Sequence, residues 1–215
     1  MSILTDIGEA LERGKRKQVV QLVQQALDEG QTPQQVLTEG LLPGMDRVGA
    51  KFRNNEIFVP EVLVAARAMS AGTEVLKPLL AEIGGVSKGK AVIGTVKGDL
   101  HDIGKNLVKM MIEGKGIEVI DLGVDVAPEV FVKAAEDHNA DIVCCSALLT
   151  TTMPVIGEVV EAFKAAGTRN KVKIMVGGAP VTQEFCDSIG ADYYTGDAAS
   201  AAVCADEILS ASETP

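Results

Sequence analysis

Tryptophan is absent from this chain of 215 residues, and aromatic residues amount to only 3%. Hydrophobic residues still make up 47%, so any core must be built from Val, Ile, Leu and Ala. Basic runs are missing as well. The net charge is −10 at pH 7, and nucleic-acid affinity rests on Lys and Arg neutralising phosphates. No nucleic-acid partner is therefore expected. The four cysteines, Cys144, Cys145, Cys186 and Cys204, include no CxxC pair, which excludes an ordinary zinc site. They read as buried, reduced thiols, which suits the cytoplasm. No apolar run approaches the ~20 residues of a membrane-spanning helix. Met1–Asp6 lacks the basic region and apolar stretch of a signal peptide, so no membrane association is expected. Nucleotide and acyl-transfer signatures are missing too. Gly94, Gly98 and Gly104 do not form GxGxxG, no GxxxxGK[ST] loop occurs, and Ser146 lies in no GxSxG elbow.

What is present divides near residue 86. Residues 1–86 read as a helical domain and 87–215 as an α/β domain. In the first, Leu4, Ile7 and Leu11, then Val19, Val20, Leu22, Val23 and Leu27, repeat at helical spacing. Gly14 and Gly30 mark helix ends, and Thr32-Pro33 reads as an N-cap followed by Pro at the first helical position. Pro43 and Gly44 are expected to interrupt the next helix, and Pro60 to open a fourth. Four short-looped helices predict a small antiparallel bundle. Residues 83–89 read as a linker, and Ser210–Pro215 as a frayed end.

Beyond the linker, apolar strands at 91–96, 117–120, 141–145, 172–176 and 191–194 alternate with helical stretches. Five strand–helix units predict a doubly wound, flavodoxin-like (Rossmann-like) five-stranded parallel sheet. Ligands in such sheets bind beyond the carboxyl ends of the strands. Three loops should meet there: Gly98-Asp99-Leu100-His101-Asp102-Ile103-Gly104, Ser146–Thr152, and Gly177-Gly178-Ala179-Pro180. A lone His101 would more readily be a helix cap. Asp99 two residues earlier changes that reading, because a metal-bound imidazole donates from its second nitrogen and a carboxylate there fixes the tautomer. His138 reads as solvated and Met110-Met111 as core.

The pattern Asp99-x-His101-x-x-Gly104, Ser146-x-Leu148 and Gly177-Gly178 resembles the signature of base-off, His-on cobalamin proteins. Gly98-Asp-Leu-His-Asp-Ile-Gly-Lys-Asn106 and Asp121-Leu-Gly-Val124 resemble the cobalamin module of methionine synthase. The whole chain, helical half included, is most similar to corrinoid proteins of methanol, methylamine, betaine and methoxyarene methyltransferase systems.

The resemblance implies cobalamin, as methylcobalamin or a related corrinoid, with His101 as the axial ligand below cobalt. It implies that Asp99 orients His101 and that Thr152 completes a proton relay. Gly98, Asp102, Ile103 and Gly104 would touch the cofactor. Ser146, Leu148, Thr150, Gly177, Gly178 and Ala198 would line its buried tail. Phe52 and Val59 would shield the upper face; packing between helices is their plainer explanation. A methyl group would pass on cobalt from a substrate methyltransferase to a second methyltransferase acting on tetrahydrofolate or a thiol, with a reductive activator as a further partner. The protein would carry the methyl group and not catalyse alone. A small subunit of an adenosylcobalamin mutase and a cobalamin-dependent sensor share the signature and stand as alternatives. So does simple cobalamin storage.

Overall fold

The structure, a computed structural model, describes residues 2–82 and 87–212. Most of the expected linker, residues 83–86, and the last three residues of the expected frayed end lie outside them. The chain forms two compact units, one helical and one beginning at Lys88.

The helical unit begins with Ile3–Glu12, where the Ser2 side chain accepts from the Thr5 amide, and continues with Arg16–Asp28. Thr32 then caps the next helix in a reciprocal box with Gln35, Pro33 occupying the first turn. Contrary to expectation, Pro43 and Gly44 do not interrupt that helix, which runs on through residues 33–53. A proline inside a helix lacks an N–H and crowds the carbonyl four residues back. Here the backbone widens to a π-helix over Val36–Leu41, with the Leu42 amide bonding to the Leu37 carbonyl five residues back. That extra residue carries the helix past Pro43. Gly44 has a separate reason: a Cβ there would stand 2.9 Å from the Gly8 backbone on the first helix. Val59–Glu82 follows, with Pro60 in its first turn. Ile7, Leu11, Val19 and Val23, from the apolar stripes read from the spacing, are buried together with Leu41, Val48, Val62 and Leu76.

The second unit holds strands β1 (Lys90–Thr95), β2 (Glu118–Asp121), β3 (Ile142–Ser146), β4 (Lys173–Gly177) and β5 (Tyr193–Tyr194). They are all parallel in the order β2-β1-β3-β4-β5, the doubly wound flavodoxin order. Helices Ile103–Glu113 and Ala198–Ser212 pack together, as do Pro128–His138 and Met153–Ala165. Val92, Val143, Cys145, Ile174 and Val176 join Phe131, Ile156, Val160 and Phe163 in one core cluster. The alternate strand residues Ala91, Ile93, Cys144 and Met175 are buried as well. Strands buried on both faces explain the unbroken apolar runs.

All four cysteines are unbridged. Burial pushes the Cys144 thiol up to about 12, so it is protonated and inert. Among the described residues no helix is long and apolar enough to cross a membrane.

Candidate functional site

Parallel register decides where the site lies. Thr95 at the end of β1 pairs with Ser146 at the end of β3, and Ser146 pairs with Gly177 at the end of β4. The three signature loops therefore leave the sheet side by side at its carboxyl edge. Backbone bonds extend the row: the Val96 amide donates to the Ser146 carbonyl at 3.0 Å, and the Ala147 amide to the Gly177 carbonyl at 3.2 Å.

Asp99 is the hub. It has no exposed surface. Its Oδ1 accepts from the His101 amide at 3.1 Å and lies 3.0 Å from His101 Nδ1. Its Oδ2 accepts from the Leu148 amide at 2.7 Å, the Leu149 amide at 3.4 Å and the Thr152 hydroxyl at 2.7 Å. Burial alone would raise the carboxyl pKa. The Leu148 amide, the Thr152 hydroxyl and the His101 amide and ring outweigh it, holding Asp99 well below the usual carboxylate range. An ionised Asp99 accepts only, so Nδ1 of His101 is the donor, which in a neutral imidazole leaves the lone pair on Nε2. The ring is more than half exposed, at 56%. His101 is thus held by Asp99 through Nδ1, with Nε2 on an exposed ring left unclaimed by that carboxylate.

The rim around it is apolar. Leu100 is 72% and Ile103 78% exposed, and Leu148 and Leu149 lie at the same edge, also exposed. Large exposed apolar residues clustered around one polar group mark a binding surface. A Cβ at Gly104 would meet nothing within 4 Å, leaving open space beside His101. Asp102 and Thr150 are exposed, Ser146 and Gly177 half-buried, and Ala198 is buried at the start of the last helix. Gly178 answers an internal demand: its φ is +122°, and a Cβ would fall 1.8 Å from the Ala147 carbonyl oxygen. Phe52 and Val59 sit in the helical unit, at the end of one helix and the start of the next, both half-buried.

Sequence reasoning gave no role to several residues that hold this edge together. The buried Thr95 hydroxyl donates to the His101 carbonyl at 2.9 Å. Asp125, at φ 56°, accepts from the Gly98 amide at 2.7 Å and donates its own amide to the Asp99 carbonyl at 3.0 Å. Only the Asp121-Leu-Gly-Val124 run leading into that turn had hinted at it. Asp121 is kept below the usual carboxylate range. Burial raises it, but bonds from Lys105 and the Gly123 amide more than compensate.

Among the described residues no group of three or more His, Cys, Asp or Glu could hold a metal ion. One outward imidazole suits a metal that brings the rest of its coordination sphere in a macrocycle.

Known proteins resemble this chain over nearly its whole length. The B12 binding domain family matches residues 89–204, and a second B12 binding domain family matches residues 3–77. The chain is similar to dimethylamine corrinoid protein 1 of Methanosarcina acetivorans, with 43% identity over 208 residues, 96% of this chain and 97% of that protein. It resembles a chain of the methanol:cobalamin methyltransferase complex MtaBC from Methanosarcina barkeri, with a TM-score of 0.88 and 32% identity over 97% of this chain and 80% of that one. A cobalamin-binding protein from Desulfitobacterium hafniense matches with a TM-score of 0.80 and 32% identity, over 95% of this chain and 98% of that one.

Proposed function

Because the chain belongs to the family of B12-binding corrinoid proteins, we propose that it carries a methyl group on corrinoid cobalt from a substrate methyltransferase to a second methyltransferase acting on tetrahydrofolate or a thiol. The observation that carries this reading is the fully buried Asp99, bonded to Nδ1 of the exposed His101 ring and so leaving Nε2 unclaimed by it. The corrinoid, when bound, supplies the metal centre that accepts and releases the methyl group.

The chain's own residues then have distinct work. His101 would hold the metal through Nε2. Asp99 fixes its tautomer and strengthens it as a ligand. Thr152 holds Asp99 and would relay a proton to it, replacing the hydroxyl proton that it gives up with one from solvent. Ser146, Leu148, Thr150, Gly177, Gly178 and Ala198 line the space for the cofactor's displaced tail. Gly98, Asp102, Ile103 and Gly104 meet the ring near His101. Phe52 and Val59 would shield the bound group from water. A reductive activator is a further partner.

The dimethylamine and methanol systems named for the relatives support a methyltransferase partner. The helical half, itself matched by a B12 binding domain family, favours this reading over a mutase subunit. The test is electron paramagnetic resonance of the cobalt(II)-loaded protein. Nitrogen coupling should change on nitrogen-15 labelling of the protein and vanish in His101→Ala. Coupling insensitive to the label would refute His101 as the ligand.

A further inference from the structure

Lys105 lies in the first turn of the helix Ile103–Glu113, four residues after His101, and is only 2% exposed. A buried ammonium is costly unless paired, and a Met of similar length would fill the same space. Its partners are specific. Nζ donates to Asp121 Oδ1 at 2.6 Å and to Asn106 Oδ1 at 2.7 Å. Because Lys105 claims the amide oxygen of Asn106, the amide nitrogen is left facing Asp102, where it donates to Oδ2 at 3.1 Å. The Asn106 backbone amide donates to the Asp102 carbonyl at 2.8 Å.

The other end is anchored in the sheet. Asp121, the last residue of β2, also accepts from the Gly123 amide at 2.9 Å. The Gly123 carbonyl accepts from the Thr95 amide at 3.0 Å, and the Thr95 hydroxyl donates to the His101 carbonyl. The path therefore closes: Asp121, Gly123, Thr95, His101, Asp102, Asn106, Lys105 and back to Asp121. Asp99 controls the imidazole ring, whereas this circuit controls the backbone on which the ring is mounted.

We infer that Lys105 is a positioning residue for His101, acting through Asp121 on one side and through Asn106 and Asp102 on the other to set how far Nε2 projects from the sheet edge. The inference rests on the reading of His101 as the axial ligand. A ligand atom displaced by a fraction of an ångström gives a weaker metal bond, and groups behind a metal-bound histidine typically alter affinity by ~10–100-fold.

Two variants test it: Lys105→Met, and Lys105→Met combined with Asp121→Asn. The second removes both charges yet keeps an acceptor for the Gly123 amide, so it guards against misfolding from a carboxylate left with Lys109 alone as its cationic partner, at 3.4 Å. Circular dichroism and melting establish which variants fold. In the cofactor-free protein, amide hydrogen exchange at 101–106 should quicken at least tenfold, with β3 amides unchanged. After loading with cobinamide, which brings no lower base of its own, the cobalt(II) form should lose more than half of its protein-nitrogen coupling. Its cobalt(II)/cobalt(I) potential should rise. Wild-type exchange at 101–106, or wild-type coupling and potential, in a folded variant overturns the inference. Wild-type protein with no such coupling would sink the axial-ligand reading instead, and this inference with it.

Discussion

Thr152 holds Asp99 from the side opposite His101: its hydroxyl donates to Oδ2 at 2.7 Å while Oδ1 faces His101 Nδ1 at 3.0 Å. The two bonds come from loops after different strands, so the carboxylate ties the β1 and β3 loops into one unit. Each oxygen is also met by backbone amides. The pair can therefore be perturbed selectively through the threonine.

Thr152→Val keeps the shape and deletes the hydroxyl. Removing one hydrogen bond to a buried charge should cost ~1.5–3 kcal/mol, read as a lower midpoint in urea. Thr152→Ser should recover most of it. Asp99→Asn places an amide NH2 among donors that all point at it. Corrinoid affinity should then fall ~10–100-fold by spectroscopic titration. An unchanged affinity would remove Asp99 from the site.

Two glycines should separate fold from ligand. Gly178→Ala forces a Cβ into the space of the Ala147 carbonyl and should destabilise the cofactor-free protein by roughly 2–4 kcal/mol. Gly104→Ala meets only open space. It should leave the fold intact or stabilise it by ~0.5–1 kcal/mol, yet weaken corrinoid binding. Equal effects of the two on thermal melting would contradict the assignment.

The pH dependence of stability follows from Asp99. Its folded pKa lies below the unfolded value of ~3.9. Its contribution is therefore complete above that value and is lost as pH falls from there toward the folded pKa. Other lowered carboxyls, such as Glu12 and Asp121, act in the same direction. The wild type should accordingly lose more stability than Asp99→Asn between pH 5 and 3, by up to ~1.4 kcal/mol per unit below ~3.9. Parallel curves in chemical denaturation would refute the shift.

Phe52→Ala tests the shield. Phe52 is only half-buried, so the substitution should cost less than the ~3–5 kcal/mol of a core phenylalanine. The methylcobalamin-loaded variant should photolyse faster than wild type while its fold and corrinoid content survive. Identical photolysis rates would leave Phe52 as packing alone.

Much of this was legible because it was local. The apolar runs of β1, β3 and β4, the Thr32 cap and the Asp99-x-His101 spacing are all contained within a few residues. What was hidden depended on distance. Lys105 is an ordinary surface residue until Asp121, sixteen positions on, is brought beside it. Gly178 has a second reason to lack a side chain that no local pattern shows, because the Ala147 carbonyl arrives from another loop. Pro43 predicts a break, because sequence patterns assume i→i−4 bonding and a single π segment escapes them.

On the proposed reading, a site with one protein ligand also chooses its metal in an unusual way. Free divalent ions are ranked by the Irving–Williams order wherever a protein offers several donors, and copper or zinc then tends to win. His101 offers a bare ion one nitrogen, and no cluster of three or more donors exists among the described residues to hold it. Competition among free metals therefore finds little purchase here. Selectivity passes to whatever built the macrocycle, and the chain needs only to recognise that finished object by its shape.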